Sequence, residues 1–356
     1  MKLSFPLALN ILKPISPYSC YLTWRLLKTS PSIMFDDGVE VSYGETRVIL
    51  DPCKFNSRCK LALLTHAHRD HSKGFVEYDS GFATNQTLDL LSLYTGRRKT
   101  MKSGKIRIGE KLKVDCLEIS VHDAGHILGS VMFYISTPEN TILYTGDLNC
   151  VETLISKPAE EVPCEILIID STFGYPYFRF PSRDKIYSDI INWVVDAVKC
   201  GYVPVLHADS IGNSQELITL LNKFTKIPVI THPRISEVNE IYKQYGFKLN
   251  CLNHKSEEGF EAIKSGFCVY IAPKNVNVSL GKPIVEALVS GWALSFGGFP
   301  LSDHADYPSL INYIAAVKPK VVYTYPEGYS SRVFASKVEK ILNIPARSIG
   351  DVSSAL

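Results

Sequence analysis

Missing from this chain is any run of about 20 apolar residues, the length that a membrane-spanning helix needs. Cysteines at CxxC spacing are also missing. Cys20, Cys53, Cys59, Cys116, Cys150, Cys164, Cys200, Cys251 and Cys268 are an odd, scattered set. That argues against a disulfide scaffold and against a cysteine zinc site, and predicts free thiols in a reducing, cytoplasmic compartment. Charge of one sign is scarce as well: 38 Lys plus Arg stand against 36 Asp plus Glu, a net +2. A protein that coats nucleic acid through bulk basicity is thereby excluded, and any such contact must come from local patches. No internal repeat or low-complexity tract is present. The length of 356 residues suits two domains, or one large core with an insertion.

Acid is absent from residues 1–34, where Lys2, Lys13, Arg25 and Lys28 turn a net charge of +2 into −2 for the remainder. The apolar run Leu3–Leu12 is broken by Pro6, and Pro14 and Pro17 follow. A secretory signal wants a longer clean run and a small-residue cleavage site. Residues 1–34 are expected to be a mobile tail or N-terminal extension, with Met34 as an alternative first residue.

What is present begins as short strands. Val39–Tyr43 and Thr46–Leu50 flank Gly44 in a hairpin pattern. Leu61–Leu64, Ile119–Val121, Val131–Ile135, Thr141–Tyr144 and Ile166–Ile169 are further strand-like runs. After Asp170 the pattern changes. Ser182 reads as a helix cap ahead of Ile186, Ile190, Val194 and Val195 at helical spacing. Val203–Leu206, Ser214–Phe224, Ile227–Ile230 and Ser236–Tyr245 then alternate as strand and helix, the signature of a parallel sheet. Residues 173–290 therefore read as an α/β insertion. Strand Val321–Tyr325 and helix Ser331–Leu342 follow it.

Chemistry concentrates in Thr65-His66-Ala67-His68-Arg69-Asp70-His71, where three imidazoles and a carboxylate follow an apolar strand. Neutral imidazole and carboxylate are zinc ligands. On an extended chain His66 and His68 point the same way, and a turn must then bring Asp70 and His71 to a neighbouring ion. A single His in this context is more often a core or surface residue, a reading that four potential ligands outweigh. Ala124-Gly125-His126-Ile127-Leu128-Gly129-Ser130 sets one His between glycines after a strand. Tyr144-Thr145-Gly146-Asp147 and Asp170-Ser171-Thr172 each place an acid where a strand gives way to a loop, a common seat for active groups. Leu301-Ser302-Asp303-His304-Ala305-Asp306 is the last cluster, for which a capped surface loop is the lesser alternative when it is taken alone.

Together these segments resemble the metallo-β-lactamase hydrolase superfamily. With Asp170, the long insertion and the SDHAD segment, residues 35–345 resemble its nucleic-acid-processing branch, the β-CASP nucleases. The resemblance implies an αββα sandwich in two parts, residues 35–172 and 291–356, with an inserted α/β domain at 173–290. It implies that His66, His68 and His126 hold one Zn²⁺, that Asp70 and His71 hold a second, and that Asp147 bridges them. Mn²⁺ is an alternative ion. Asp170 and His304 match the branch's later acidic and histidine motifs.

One departure matters. RNA-cutting members such as ribonuclease J carry a further His in a downstream strand–turn, which ligates the second metal. Here that turn reads Val322-Tyr323-Thr324-Tyr325-Pro326-Glu327-Gly328, and no His follows His304. Artemis-like DNA nucleases also lack it, and Ile169-Asp170-Ser171-Thr172-Phe173-Gly174 with Phe180-Pro181-Ser182 resembles their pattern and that of DNA-ligase-associated exonucleases. Glu327 reads as a solvated turn residue rather than a substitute ligand.

The resulting expectation is a metal-dependent DNA nuclease, an exonuclease in repair, with a ligase as a conceivable partner and no membrane. An RNA processing nuclease and a non-catalytic binding subunit are the alternatives. Asp70 and Asp147 are expected to serve the metals, His304 to bind or protonate the phosphate region, and Asp170 to orient a His through its ring N–H. Arg97, Arg98, Lys99 and Lys102, with Lys105 and Arg107, form an acid-free cluster that reads as a phosphate-holding patch or a solvated loop. Tyr175, Tyr177 and Phe178 read as base-stacking groups or as packing. His207, Asp209 and His232 are expected to be structural. His122 is a candidate support for the His126 segment, and His254 has no context.

Overall fold

The computed structural model describes residues 31–59, 61–95 and 104–351. Strands β1 (Ser32–Phe35), β2 (Val39–Tyr43) and β3 (Thr46–Leu50) run antiparallel. The β2–β3 link is the two-residue turn Gly44-Glu45, in which Gly44 takes φ +60°, a conformation such hairpin turns require. From β3 the pairing becomes parallel, through β4 (Leu61–Leu63), β5 (Gly81–Ala83) and β6 (Gly104–Lys105). Helices α1 (Arg69–Ser72) and α2 (Asn85–Thr95) make two of these crossovers. The order of this sheet is β1-β2-β3-β4-β5-β6.

A second sheet starts with β7 (Lys111–Val114), β8 (Leu117–Asp123), β9 (Val131–Ser136) and β10 (Thr141–Tyr144), all antiparallel, and adds β11 (Ile166–Asp170) parallel to β10. The chain then builds a third sheet. Helices α3 (Arg183–Lys199), α4 (Asn213–Phe224), α5 (Pro233–Gln244) and α6 (Glu257–Ser265) alternate with β12 (Val203–Ala208), β13 (Val229–Thr231), β14 (Leu252–Asn253) and β15 (Val269–Pro273). With β16 (Ile284–Leu288) these strands pair in parallel, in the order β14-β13-β15-β12-β16. After α7 (Ala293–Phe296) and α8 (Tyr307–Val317) the chain returns. Strand β17 (Val321–Tyr325) pairs with β11, and after α9 (Tyr329–Leu342) β18 (Ala346–Ser348) closes the second sheet.

The alternation of side chains along each strand sorts the core. Val39, Val41, Val48, Leu50 and Leu63 of the first sheet share one buried cluster with Val121, Phe133, Ile135, Ile142 and Ile168 of the second. The intervening residues face the other way. Ile49, Ala62 and Leu64 pack with Phe75 and Leu91, and Met132, Leu143, Leu167, Ile169 and Val322 pack with Leu310, Ile314, Phe334 and Val338 of α8 and α9. The third sheet divides likewise. Leu206, Ala208, Val229 and Ile271 face α3–α5, in a cluster that also takes in Ala67, Ile127 and Leu301 from the motif loops.

Four of the expected strands match residue for residue, and Ser182 caps α3 by accepting the Lys185 N–H. Helix α5 begins at Pro233, ahead of the expected Ser236, because the His232 ring accepts the Arg234 N–H and a proline suits the first turn. Residues 32–34, assigned above to the tail, instead form β1, with Ile33 buried and Met34 paired with Glu40. That boundary is corrected.

Phe133 is fully buried between the two large sheets. Phe133→Ala is expected to lower unfolding free energy by about 3–5 kcal/mol in urea titrations, while Tyr202→Ala, at an exposed position, is expected to cost well under about 1 kcal/mol.

Candidate metal centre

Strands β3, β4, β10, β11 and β17 all run toward one edge, and the polar motifs follow or end them. Asp147, buried after β10, stands at the middle. Its Oδ1 lies 3.2 Å from His71 Nε2, and its Oδ2 lies 3.3 Å from His66 Nε2, 3.6 Å from His126 Nε2 and 3.7 Å from His304 Nε2. Donor atoms of His66, His68, His126 and Asp147 all fall within 4.8 Å of one another. The turn that delivers Asp147 needs Gly146, at φ +53°, because a Cβ there would meet the Thr65 side chain at 2.6 Å.

Hydrogen bonds settle which ring nitrogen is free. The Thr65 hydroxyl donates to Asp51 Oδ2 (2.6 Å), so at 2.9 Å it accepts from His66 Nδ1–H. His126 Nδ1–H donates to the Asp303 carbonyl (2.8 Å), and His71 Nδ1–H donates to Asp51 Oδ2 (2.8 Å). His66 and His126 therefore turn an Nε2 lone pair inward, as metal-binding imidazoles do when a neighbour fixes their tautomer, and His71 turns its Nε2 to Asp147 Oδ1. His66 Nε2 is buried without a hydrogen-bond partner. His126 Nε2 faces His68 Nδ1 at 3.1 Å, so a proton or a cation must stand between them. This donor set fits a divalent ion.

The charges agree in the metal-free protein. Burial, then the charge of His71, holds His66 below the ordinary imidazole range, and burial with His304 does the same to His126. Burial opposes charge on His71, but Asp147 and Asp51 outweigh it and the ring titrates well above the usual value. Burial likewise opposes ionisation of Asp147, yet His71, His304 and His66 hold it well below the carboxylate range. For His304, burial is overcome by Asp147, Asp170 and Asp303, and its pKa is pushed up to about 10. Asp170 Oδ2 accepts from His304 Nδ1 at 2.9 Å, while its Oδ1 accepts from the Thr172 N–H and hydroxyl. The His that Asp170 touches is His304.

No protein-family model matches the chain. It is 24% identical over 400 aligned residues, 86% of this chain and 93% of the relative, to an RNase J-like protein of Methanocaldococcus jannaschii. It is 30% identical over 213 residues, 52% of this chain and 42% of the relative, to RNase aCSPSF2 of Saccharolobus solfataricus. It is 29% identical over 278 residues, 74% of this chain, to a probable DNA ligase of Opitutus terrae, of which it spans 26%. The nucleases among these relatives are of the β-CASP metallo-β-lactamase family, to which the chain is similar over most of its length. These are phosphodiester hydrolases.

The motifs do not all converge as expected. His66 and His68 share the site, their rings 4.9 Å apart, but not through strand alternation: β4 ends at Leu63, and His68 caps α1. Asp70 and His71 part company. Successive residues on a helical turn do not face one another. The Asp70 side chain is 79% exposed and 4.0 Å from His71 Nε2, and among the described residues it joins none of the convergent donor groups. His71 pairs instead with Asp51, which sequence reading missed. Asp51 also accepts the Thr65 N–H (2.8 Å) and the Tyr144 hydroxyl (3.0 Å). Its signal was available: an acid directly after the apolar run Val48-Ile49-Leu50, the same pattern that marked Asp147.

The loop carrying Asp303 and His304 is held from the third sheet's side. Arg183 of α3 donates to both carboxylate oxygens of Glu216 on α4 (2.8 and 2.6 Å), and both of its terminal nitrogens donate to the Ser302 carbonyl (3.1 Å each). The Tyr187 hydroxyl donates to the same carboxylate.

A cleft of about 700 Å³ opens over His68, His71, Asp147 and His304, and Arg69, Lys73, Arg234 and Lys274 line it. Sequence reading did not single out these cations, which come from separate segments. Arg97, Arg98, Lys99 and Lys102 lie outside the described residues. Lys105 is exposed on β6, and Arg107 lines a different cleft beside Lys157. Asp209 lines the metal cleft, paired with Lys274 at 2.7 Å. His207 binds Glu286, His254 binds the Tyr270 hydroxyl, and His122 binds Glu160 and Ser120 rather than supporting His126. Glu327 is exposed and joins no donor group among the described residues, while Tyr325 ends β17 with its ring 6.0 Å from His71.

Asp51→Ala strands four donors in the interior, and is expected to cost about 3–5 kcal/mol in denaturant unfolding. Arg183→Met leaves Glu216 charged and unpaired at similar cost. The double variant Arg183→Met, Glu216→Met is expected to regain most of that stability while nuclease activity stays low, since Ser302 still lacks its donors. A double variant as active as the wild type would show that the loop does not depend on Arg183.

Proposed function

We propose that this chain is a metal-dependent nuclease that hydrolyses phosphodiester bonds of RNA. The observation that carries the proposal is the convergence of His66, His68, His126 and Asp147 under a cleft lined by four cations. Two of the three relatives cited above are named as RNases, and one of them is spanned almost whole, which favours RNA over DNA. In this reading the two large sheets with α2, α8 and α9 are the αββα sandwich. The third sheet, within residues 173–290, is the inserted β-CASP domain.

His66, His68, His126 and Asp147 would hold a Zn²⁺, and Asp147 and His71, with Asp70 at the rim, a second ion; Mn²⁺ is an alternative. A divalent ion there acts as a Lewis acid toward a phosphoryl oxygen and makes water a competent nucleophile near pH ~7. The protein's own groups supply the rest. Arg69, Lys73, Arg234 and Lys274 hold the anionic backbone. His304, its Nδ1 fixed by Asp170, turns its Nε2 toward the metal-binding cluster, where it would offer a proton to the departing oxygen. Asp170 is a positioning residue. The described cysteines are all free, and no described helix is long and apolar enough to cross a membrane.

A second reading, a DNA exonuclease in repair with a ligase as partner, has a specific observation behind it. Tyr325 stands at the end of β17, in the segment where the RNA-cutting branch carries a His, and a probable DNA ligase is among the relatives.

Matched end-labelled RNA and DNA oligonucleotides, single and double stranded, decide between these readings in the presence of Zn²⁺ or Mn²⁺. RNA is expected to be cut preferentially, with cutting lost in a His126→Ala, Asp147→Ala variant. Preferential DNA cutting would transfer the proposal to repair. Absence of cutting by folded, metal-loaded protein would leave only a binding subunit.

A further inference from the structure

Beside the metal centre the rings continue to the surface without a break. Phe173 is buried, with its ring 5.8 Å from His304, 5.0 Å from Trp292, 5.0 Å from Phe178 and 5.2 Å from Phe180. Trp292 rests on both Phe173 and Phe178, the latter at 5.3 Å. The backbone before it is pressed against the same rings, since a Cβ on Gly291 would meet Phe173 at 2.4 Å and Phe180 at 2.8 Å. The indole is therefore fixed from beneath, yet it is 41% exposed and lines the cleft that holds His68, Asp147 and His304. Its neighbours extend the surface. The Tyr177 hydroxyl donates to the Leu294 carbonyl (2.6 Å) on α7, leaving the ring 55% exposed, and Phe296 at the end of α7 is 76% exposed.

We propose that Trp292, Tyr177 and Phe296 form a stacking ledge for the unpaired bases of a single-stranded nucleic acid whose backbone lies in the metal cleft. This rests on the nuclease reading and names its substrate as single stranded. Apolar rings left in water contribute little to the fold, and exposed apolar surface gathered beside a cleft marks a binding site. A flat aromatic face accepts any base, because every base has a π-face, whereas a duplex keeps those faces within its own stack. The same cleft supplies Arg69, Lys73, Arg234 and Lys274 for the phosphates, so charge and stacking are offered to one strand together. Phe178 is excluded from the ledge: it is buried beneath Trp292 and serves as packing.

The test uses metal-loaded full-length protein and phosphorothioate-backbone 12-mers, which resist hydrolysis. The probes are an RNA strand, a DNA strand, a duplex of the same length and a strand of abasic spacers carrying the same charge. Tryptophan fluorescence and Kd are read together. Base-bearing single strands are expected to quench the fluorescence and to bind at least about tenfold tighter than the abasic strand. Trp292→Leu is expected to erase most of that preference and the quench, and Phe296→Ala part of it. Trp292→Phe, which keeps a smaller ring, should retain the preference, and thermal melts by circular dichroism check that each variant folds. Equal Kd for abasic and base-bearing strands, equal Kd for duplex and single strand, or an unaltered preference in folded Trp292→Leu would overturn the ledge. If cleavage of ordinary oligonucleotides persists in those cases, the nuclease reading stands without it. If no oligonucleotide binds at all, both fall. Whichever of the RNA and DNA strands binds tighter identifies the sugar the ledge serves.

Discussion

A carboxylate buried among imidazoles sets the terms for the rest of this molecule. Asp147 has His66, His71, His126 and His304 within 3.7 Å, in an interior where an unpaired charge is costly. The imidazoles cannot all be protonated, because they crowd one another as well as Asp147. Asp147 favours charge on His71 and His304, while burial and those charges disfavour it on His66 and His126. A cation on the inward lone pairs would resolve the crowding, which supports reading the geometry as a metal centre rather than as a buried polar network.

Holding those rings requires a partner for each outward nitrogen. Thr65 serves His66, Asp51 serves His71, the Asp303 carbonyl serves His126 and Asp170 serves His304. Those partners sit at the ends of β3, β4 and β11 and on the loop before α8. The pairing of β3 with β4 sets the first two of these ends side by side, and that of β10 with β11 sets the third beside the turn that carries Asp147. The two large sheets meet through a continuous apolar core directly beneath, so packing of that core and orientation of the ligands are one problem.

The third sheet is part of that solution. Arg183, on one of its helices and held by Glu216 on the next, donates to the Ser302 carbonyl, one residue before the carbonyl that orients His126 and two before His304. Ala67, Ile127 and Leu301, which neighbour the ligands in sequence, pack into the third sheet's own core. The inserted segment thus supports the chemistry, furnishes Arg234 and Lys274 to the cleft, and leads into the aromatic surface at Trp292.

The order of apolar and polar residues was enough to place most strands and the parallel character of the insertion, because side-chain period and strand length are local properties. It was also enough to pick out His66, His68, His71, His126, Asp147, Asp170 and His304, whose residue types are rare together unless chemistry requires them. Only the tertiary structure paired Asp51 with His71 and turned Asp70 to the solvent, since which side chain faces which across a helical turn depends on where α1 leaves β4. Only it gathered Arg69, Lys73, Arg234 and Lys274, which are far apart along the chain and each unremarkable in its own segment. Local sequence determines which groups are available for chemistry. Strand register and sheet packing decide which of them meet, because those contacts are between residues that the chain separates.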